Sequence, residues 1–266
     1  MDTTVISIFT IILYLGASLV QLLRTQGVVK RGRRLSLLLA FAAVCLHSLL
    51  LHEWIDIGNG QNLSIFNMLS LSAWLVCVMM LVILMIKRVD VLTLFVYPFT
   101  VVTIILVLFF PQEMVINTLA YPHMLFHIVL AILTFSILCV AGLMAVLLFV
   151  QDIVLRKNPA ARLISRLPPL RSMETFLFQL ITLGFILLSV VLVSSLYFYH
   201  ELLTQHFILM QKTALVAAAW LVFAILLIGR YRWGWRGRKA IYGTLAGVIL
   251  LLFAYFFSKL VLGLLS

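Results

Sequence analysis

Charge is what this sequence most conspicuously lacks. Lys, Arg, Asp and Glu make up 10% of its 266 residues, where a soluble domain carries roughly 25%. Acids are scarcest, eight against nineteen Lys and Arg. Cysteine is sparse too: Cys45, Cys77 and Cys139 sit inside apolar runs with no CxxC spacing. That leaves no disulfide framework and no thiolate zinc site, and reads as small buried side chains. There is no HExxH and no nucleophile–base pair at helical spacing, so hydrolytic catalysis is not expected and the chain is read as a non-enzyme. No stretch of disordered composition and no convincing internal repeat interrupts it.

Apolar bulk is what the sequence has instead, 65% of residues. A soluble chain of this length could not hide so much apolar surface, and about 20 apolar residues span a bilayer as a helix. Eight such runs occur: Thr4–Leu23, Leu35–Trp54, Ile65–Ile86, Val91–Phe110, Met124–Val150, Thr175–Phe198, Thr213–Gly229 and Ala240–Leu262. The expected fold is therefore all-α, a polytopic membrane bundle of about eight transmembrane helices read as one integral membrane domain over residues 1–266. Only Lys87–Asp90 parts the third run from the fourth. The first run has no basic segment before it and no small-residue cleavage site after it, so it is expected as a retained helix and not a signal peptide.

The basic residues give an orientation. Five lie in Arg24–Arg34, two in Lys87–Arg88, five in Arg156–Arg171 and five in Arg230–Lys239, seventeen of the nineteen. These are alternate loops, which the positive-inside rule puts in the cytoplasm, with both termini on the periplasmic or external side. Lys212 and Lys259 are the exceptions. The net charge of +11 is then a consequence of topology, and nucleic acid is not an expected partner. The longest loop, Gln151–Glu174, holds Pro159, Pro168 and Pro169 and divides five helices from three. The outer loops Ile55–Ser64, Pro111–His123 and Tyr199–Met210 are too short to fold alone, so any chemistry belongs to the bundle or its outer rim.

All six histidines, His47, His52, His123, His127, His200 and His206, map to the outer half on this topology. Neutral imidazole ligates haem iron and transition metals. His123 and His127 are four apart and share a helix face; they read either as a two-histidine chelate or as solvated rim residues. His47 lies about two turns inside the membrane, at 5.4 Å per turn, where an ionisable residue is a functional candidate by default; a buried histidine bonded to a neighbouring helix is the other reading. Gly58–Asn67 reads as a solvated turn running into a helix capped by Asn62 or Ser64. Trp233 and Trp235, among arginines, read as interfacial anchors beside a site for anionic phospholipid headgroups.

Taken together, CLHSLLLHEW (45–54), GNGQNLSIFNMLSLSAWL (58–75), MLFHIVLAILTFSILCVAGLMAVLLFVQD (124–152), RLPPLRSMETFLFQLITLGFILL (166–188) and GWRGRKAIYGTLAGVILLLFAYFFSKLV (234–261) resemble, in order, segments of the cytochrome c assembly family, the CcsA/CcmC-type group with its HemX-like branch. The resemblance covers roughly residues 35–262. It implies haem handling at the outer face of a bacterial inner membrane, with histidine axial ligands and a tryptophan-rich WWD segment. His47 matches the family's ligand on the second helix, and His127 the histidine that opens the helix before the long cytoplasmic loop. The place of the WWD segment reads HFILMQKTALVAAAWLVFAILL, which keeps only Lys212 and Trp220 of the pattern. Ile228 stands where a second membrane histidine is expected, and LGLLS after the eighth run holds no histidine. His52, His123, His200 and His206 are the remaining substitutes.

The sequence thus predicts a haem-binding or haem-handling membrane protein without turnover. His47 and His127 are the axial-ligand candidates, and Trp54, Trp74 and Trp220 the aromatic side chains packed around a porphyrin. The rival reading is an accessory or regulatory subunit that binds another membrane protein, such as a transporter, or a haem-biosynthesis enzyme, through the basic loops Lys30–Arg34 and Arg156–Arg171. A transporter in its own right is a third reading, disfavoured by the near absence of acids from the spans.

Overall fold

A computed structural model of the chain describes residues 3–29, 32–58, 60–87, 89–116, 122–157, 169–198 and 207–257. They form α1 (Thr3–Gln26), α2 (Arg33–Ile55), α3 (Ile65–Ile86), α4 (Thr93–Phe109), α5 (Pro122–Lys157), α6 (Leu170–Phe198), α7 (Phe207–Trp233) and α8 (Arg238–Leu252), the last continuing as a π-helical turn, Phe253–Phe257. Eight helical segments among them are long and apolar enough to cross a membrane. The 36 residues of α5 rise about 54 Å at 1.5 Å each, well beyond a hydrocarbon core of about 30 Å. That excess is why the polar Gln151, Asp152 and Arg156 lie on the helix and not in a loop. His200, His206, Lys259, the chain ends and residues 158–168 of the long loop lie outside the described residues.

The chain divides into two compact units, Met1–Tyr121 and Pro122–Ser266. The division falls before α5, not after it where the longest loop lies, because loop length does not decide which helices pack together. In the first unit α1 and α3 each pack on both α2 and α4; in the second, α5 and α7 each pack on both α6 and α8. Each unit is a four-helix bundle with sequential neighbours, an order repeated without a visible repeat in sequence.

Side-chain placement differs from that of a soluble bundle: the outer face is apolar, and polar residues lie in the interior among apolar ones. On α1 the buried positions are Ile6, Ser7, Thr10, Tyr14, Ala17 and Gln21, spaced three and four as one helix face requires, while Ile8, Phe9, Ile12, Leu15 and Leu19 are exposed. On α4, Thr93, Thr100 and Thr103 are buried and Phe95, Phe99 and Val102 exposed. Small and polar residues within the interior and large apolar ones on the outer face suit lipid, where interior hydrogen bonds and close packing hold helices together. Gly247 illustrates the closeness: a Cβ there would meet Phe223 Cζ at 2.6 Å.

At one end of the first unit, β1 (Asp56–Ile57), β2 (Gly60–Asn62) and β3 (Val115–Ile116) form an antiparallel sheet. The expectation of a solvated turn over Gly58–Asn67 is corrected here. Asn62 is buried and is the hub: its Nδ2 donates to Gln112 O at 2.9 Å, and its Oδ1 accepts from Ser64 N at 3.2 Å and Met114 N at 3.0 Å. Ser64 caps α3, accepting from Asn67 N. At the opposite end Asp90 meets Arg24 at 3.4 Å and Arg33 at 3.1 Å, and Arg33 also donates to Leu84 O, gathering the ends of all four helices. The second unit has a comparable clip: Asp152 takes Arg238 at 3.2 Å, Glu174 lies 3.8 Å from Arg230 and accepts from Gly237 N at 2.8 Å. Trp233 is exposed, as an interfacial anchor should be. Trp235 instead folds back onto Gly229, where there is no Cβ to meet it, and its carbonyl accepts from Arg230 at 3.2 Å.

Candidate functional site

In the first unit, α1, α2 and α3 bring Tyr14, His47 and Ser70 together in the interior. His47 has no exposed surface. Its Nε2 pairs with Ser70 Oγ at 2.9 Å and its Nδ1 with Tyr14 hydroxyl at 3.4 Å; Tyr14 also lies 5.8 Å from Tyr97 on α4. Both ring nitrogens therefore have partners inside the unit, the arrangement of a satisfied buried histidine. Trp74 donates to Val44 O at 3.0 Å, tying α3 to α2, and Trp54 is half-buried with its carbonyl accepting from Asn67. Exposed His52 pairs with Asp56 at 2.7 Å.

The second unit holds a cavity of about 290 Å³ between α5, α6, α7 and α8, just below the roughly 300–1,000 Å³ of ligand sites. Most of its lining is apolar; the polar contributions are His127 and Thr134 from α5, Ser195 from α6, Lys212 and Thr213 from α7, and Tyr255 from the π-helical turn. Tyr255 stacks on Phe135 at 4.9 Å, making a flat aromatic wall. Trp220 does not line the cavity; it stacks on Phe185 at 5.2 Å and donates to Ser189 Oγ at 2.8 Å. His123 is exposed one turn before His127.

His127 is oriented by Ser194. Nδ1 lies 2.8 Å from Ser194 Oγ, and that hydroxyl donates its single proton to Val191 O at 2.9 Å. That hydroxyl thereby ties the imidazole of α5 to the backbone of α6 and sets the orientation of the ring. A partner fixing one imidazole nitrogen so that the other serves as ligand is the usual support of a metal-binding histidine. Ser194 could not be found in the sequence, since it lies 67 residues from His127 in an apolar run. Lys212 could: it is one of two cations outside the basic loops.

Among the described residues no group of three or more His, Cys, Asp or Glu is placed to hold a metal ion. A porphyrin needs less, since its own nitrogens occupy the equatorial positions and the protein supplies axial ligands. His127, in the wall of an apolar cavity with an aromatic face, suits that requirement; His47 is fully buried between Ser70 and Tyr14.

Fold and cavity together define a multi-pass helical membrane protein with a mostly apolar cavity in its second bundle. The chain belongs to the family described as Cytochrome C assembly protein, whose sequence profile matches residues 34–265. It is 32% identical over 264 residues to the inner membrane protein YpjD of Escherichia coli K12, covering 97% of this chain and 99% of that one. The YpjD proteins of E. coli O6:H1 and O157:H7 match to the same extent. No solved structure matches the chain.

Proposed function

We propose that this protein binds haem in the cavity of its second unit, where His127 would hold the iron, and handles it without turnover in cytochrome assembly or haem homeostasis. The observation that carries the reading is a histidine, His127, held by Ser194 Oγ at 2.8 Å in the wall of an apolar cavity. Bound haem would supply the iron chemistry; the chain's residues hold the imidazole, exclude water and provide an aromatic face. His47, Trp54 and Trp74 are assigned to the packing of the first unit, and Trp220 to the α6–α7 contact. We further propose that the basic loops face the cytoplasm and both termini the periplasm, as the distribution of seventeen of nineteen cations supports. The closed, internally satisfied core around His47 favours one rival: the first unit serves as a packing surface, and the protein is an accessory subunit to another membrane protein or to a haem-biosynthesis enzyme.

The test is a haemin titration of detergent-purified protein followed by visible absorption. A saturable, red-shifted Soret band in the parent that disappears in His127→Ala supports haem ligation. Matching spectra for the two, without saturation, would move the assignment to the accessory subunit.

A further inference from the structure

Lys212 sits in the second turn of α7, half-buried, in the wall of an otherwise mostly apolar cavity. It has no hydrogen-bond or ion-pair partner among the described residues. The two described acids of its unit, Asp152 and Glu174, are engaged by Arg156, Arg238 and Arg230 in the clip. His127 offers no countercharge, since an imidazole is either neutral or positive. An ammonium inside a membrane bundle is costly unless something compensates it, and such residues usually mark a functional site.

We infer that Lys212 recognises a carboxylate on the ligand, and that the cavity is built for an apolar body bearing an acid group. This rests on the haem reading above, in which the acid is a propionate of the porphyrin. The division of labour follows from the two side chains: His127 is an imidazole, suited to iron, and Lys212 a positive charge, suited to a carboxylate. A charge-assisted pair in low dielectric is among the stronger hydrogen bonds. Ligand recognition would thus be split between a metal-directed residue on α5 and an acid-directed residue on α7. The competing structural account is that Lys212 extends along the helix to reach headgroup water, in which case the ligand's acid groups are irrelevant.

The test compares haemin with its dimethyl ester, which keeps the iron and the macrocycle but has no free carboxylates, using full-length parent, Lys212→Met and Lys212→Arg in detergent. The parent should bind haemin roughly tenfold to a hundredfold more tightly than the ester, the span of one charged hydrogen bond. Lys212→Met should bind both alike, at the parent's affinity for the ester, which also reports that the variant is folded. Lys212→Arg should keep the preference. Equal binding of the two porphyrins by the parent, with a His127-dependent Soret band for each, would overturn the carboxylate assignment and leave the haem reading standing. Binding of neither porphyrin would overturn both.

Discussion

Replacing His47 by Ala separates a ligand from a structural histidine, and the structure sets the size of the effect. The ring is fully buried among α1, α2 and α3. Truncating a buried aromatic ring to Ala costs about 3–5 kcal/mol where the site cannot collapse. The partners add less than in a soluble core, because interhelical hydrogen bonds in membranes average about 0.6 kcal/mol, reaching about 1.7. The 2.9 Å bond to Ser70 belongs near the upper figure and the 3.4 Å contact with Tyr14 near zero. His47→Ala should therefore lose roughly 3–5 kcal/mol, whereas His47→Phe, which fills the space but removes the bond to Ser70 and the weaker contact with Tyr14, should lose about 1–2 kcal/mol. Unfolding in mixed micelles by a denaturing detergent, read by tryptophan fluorescence, measures both. Neither variant should alter the haemin spectrum. A His47→Ala protein as stable as the parent, or one that loses the Soret band as His127→Ala does, would refute the packing role and return His47 to the ligand set.

Two further substitutions probe the ends of the units. Asn62→Ala removes a buried hub with three hydrogen bonds, a loss of roughly 2–3 kcal/mol in local stability; proteolysis between Pro111 and Ile116, mapped by mass spectrometry, should accelerate, and an unchanged rate would contradict the hub. Gly237 has φ +59° and ψ −129°, a conformation that is nearly glycine-only and costs a side chain of order 1–3 kcal/mol. Gly237→Ala should lower the thermal midpoint and loosen the Glu174 clip, and an unshifted midpoint would show that the turn adapts.

The eight spans were legible because twenty-residue apolar runs bounded by charge have few alternatives in a bilayer. The sheet was not: β1 to β3 are two or three residues each, too short for a period-two pattern, and β3 pairs with β2 from more than fifty residues away. The split before α5 was hidden because packing depends on which faces meet, information that apolar runs alone do not carry. Trp235 looks in the sequence like a second interfacial anchor, since nothing in GWRGR announces that the ring folds back on Gly229. At the site, His127 and Lys212 were visible as a rim histidine and an exception to the charge rule. Ser194, Ser195, Thr134 and Tyr255 were not, because they come from runs whose composition alone says only that they are buried.

The most direct test of the account is chemical rescue at position 127. His127→Gly should lose the saturable Soret band, and free imidazole at millimolar concentration should restore it, since the account needs only an imidazole nitrogen at that place in the cavity. A variant that keeps the parent spectrum without imidazole, or one that imidazole does not change while the parent band is present, would contradict His127 as the iron ligand.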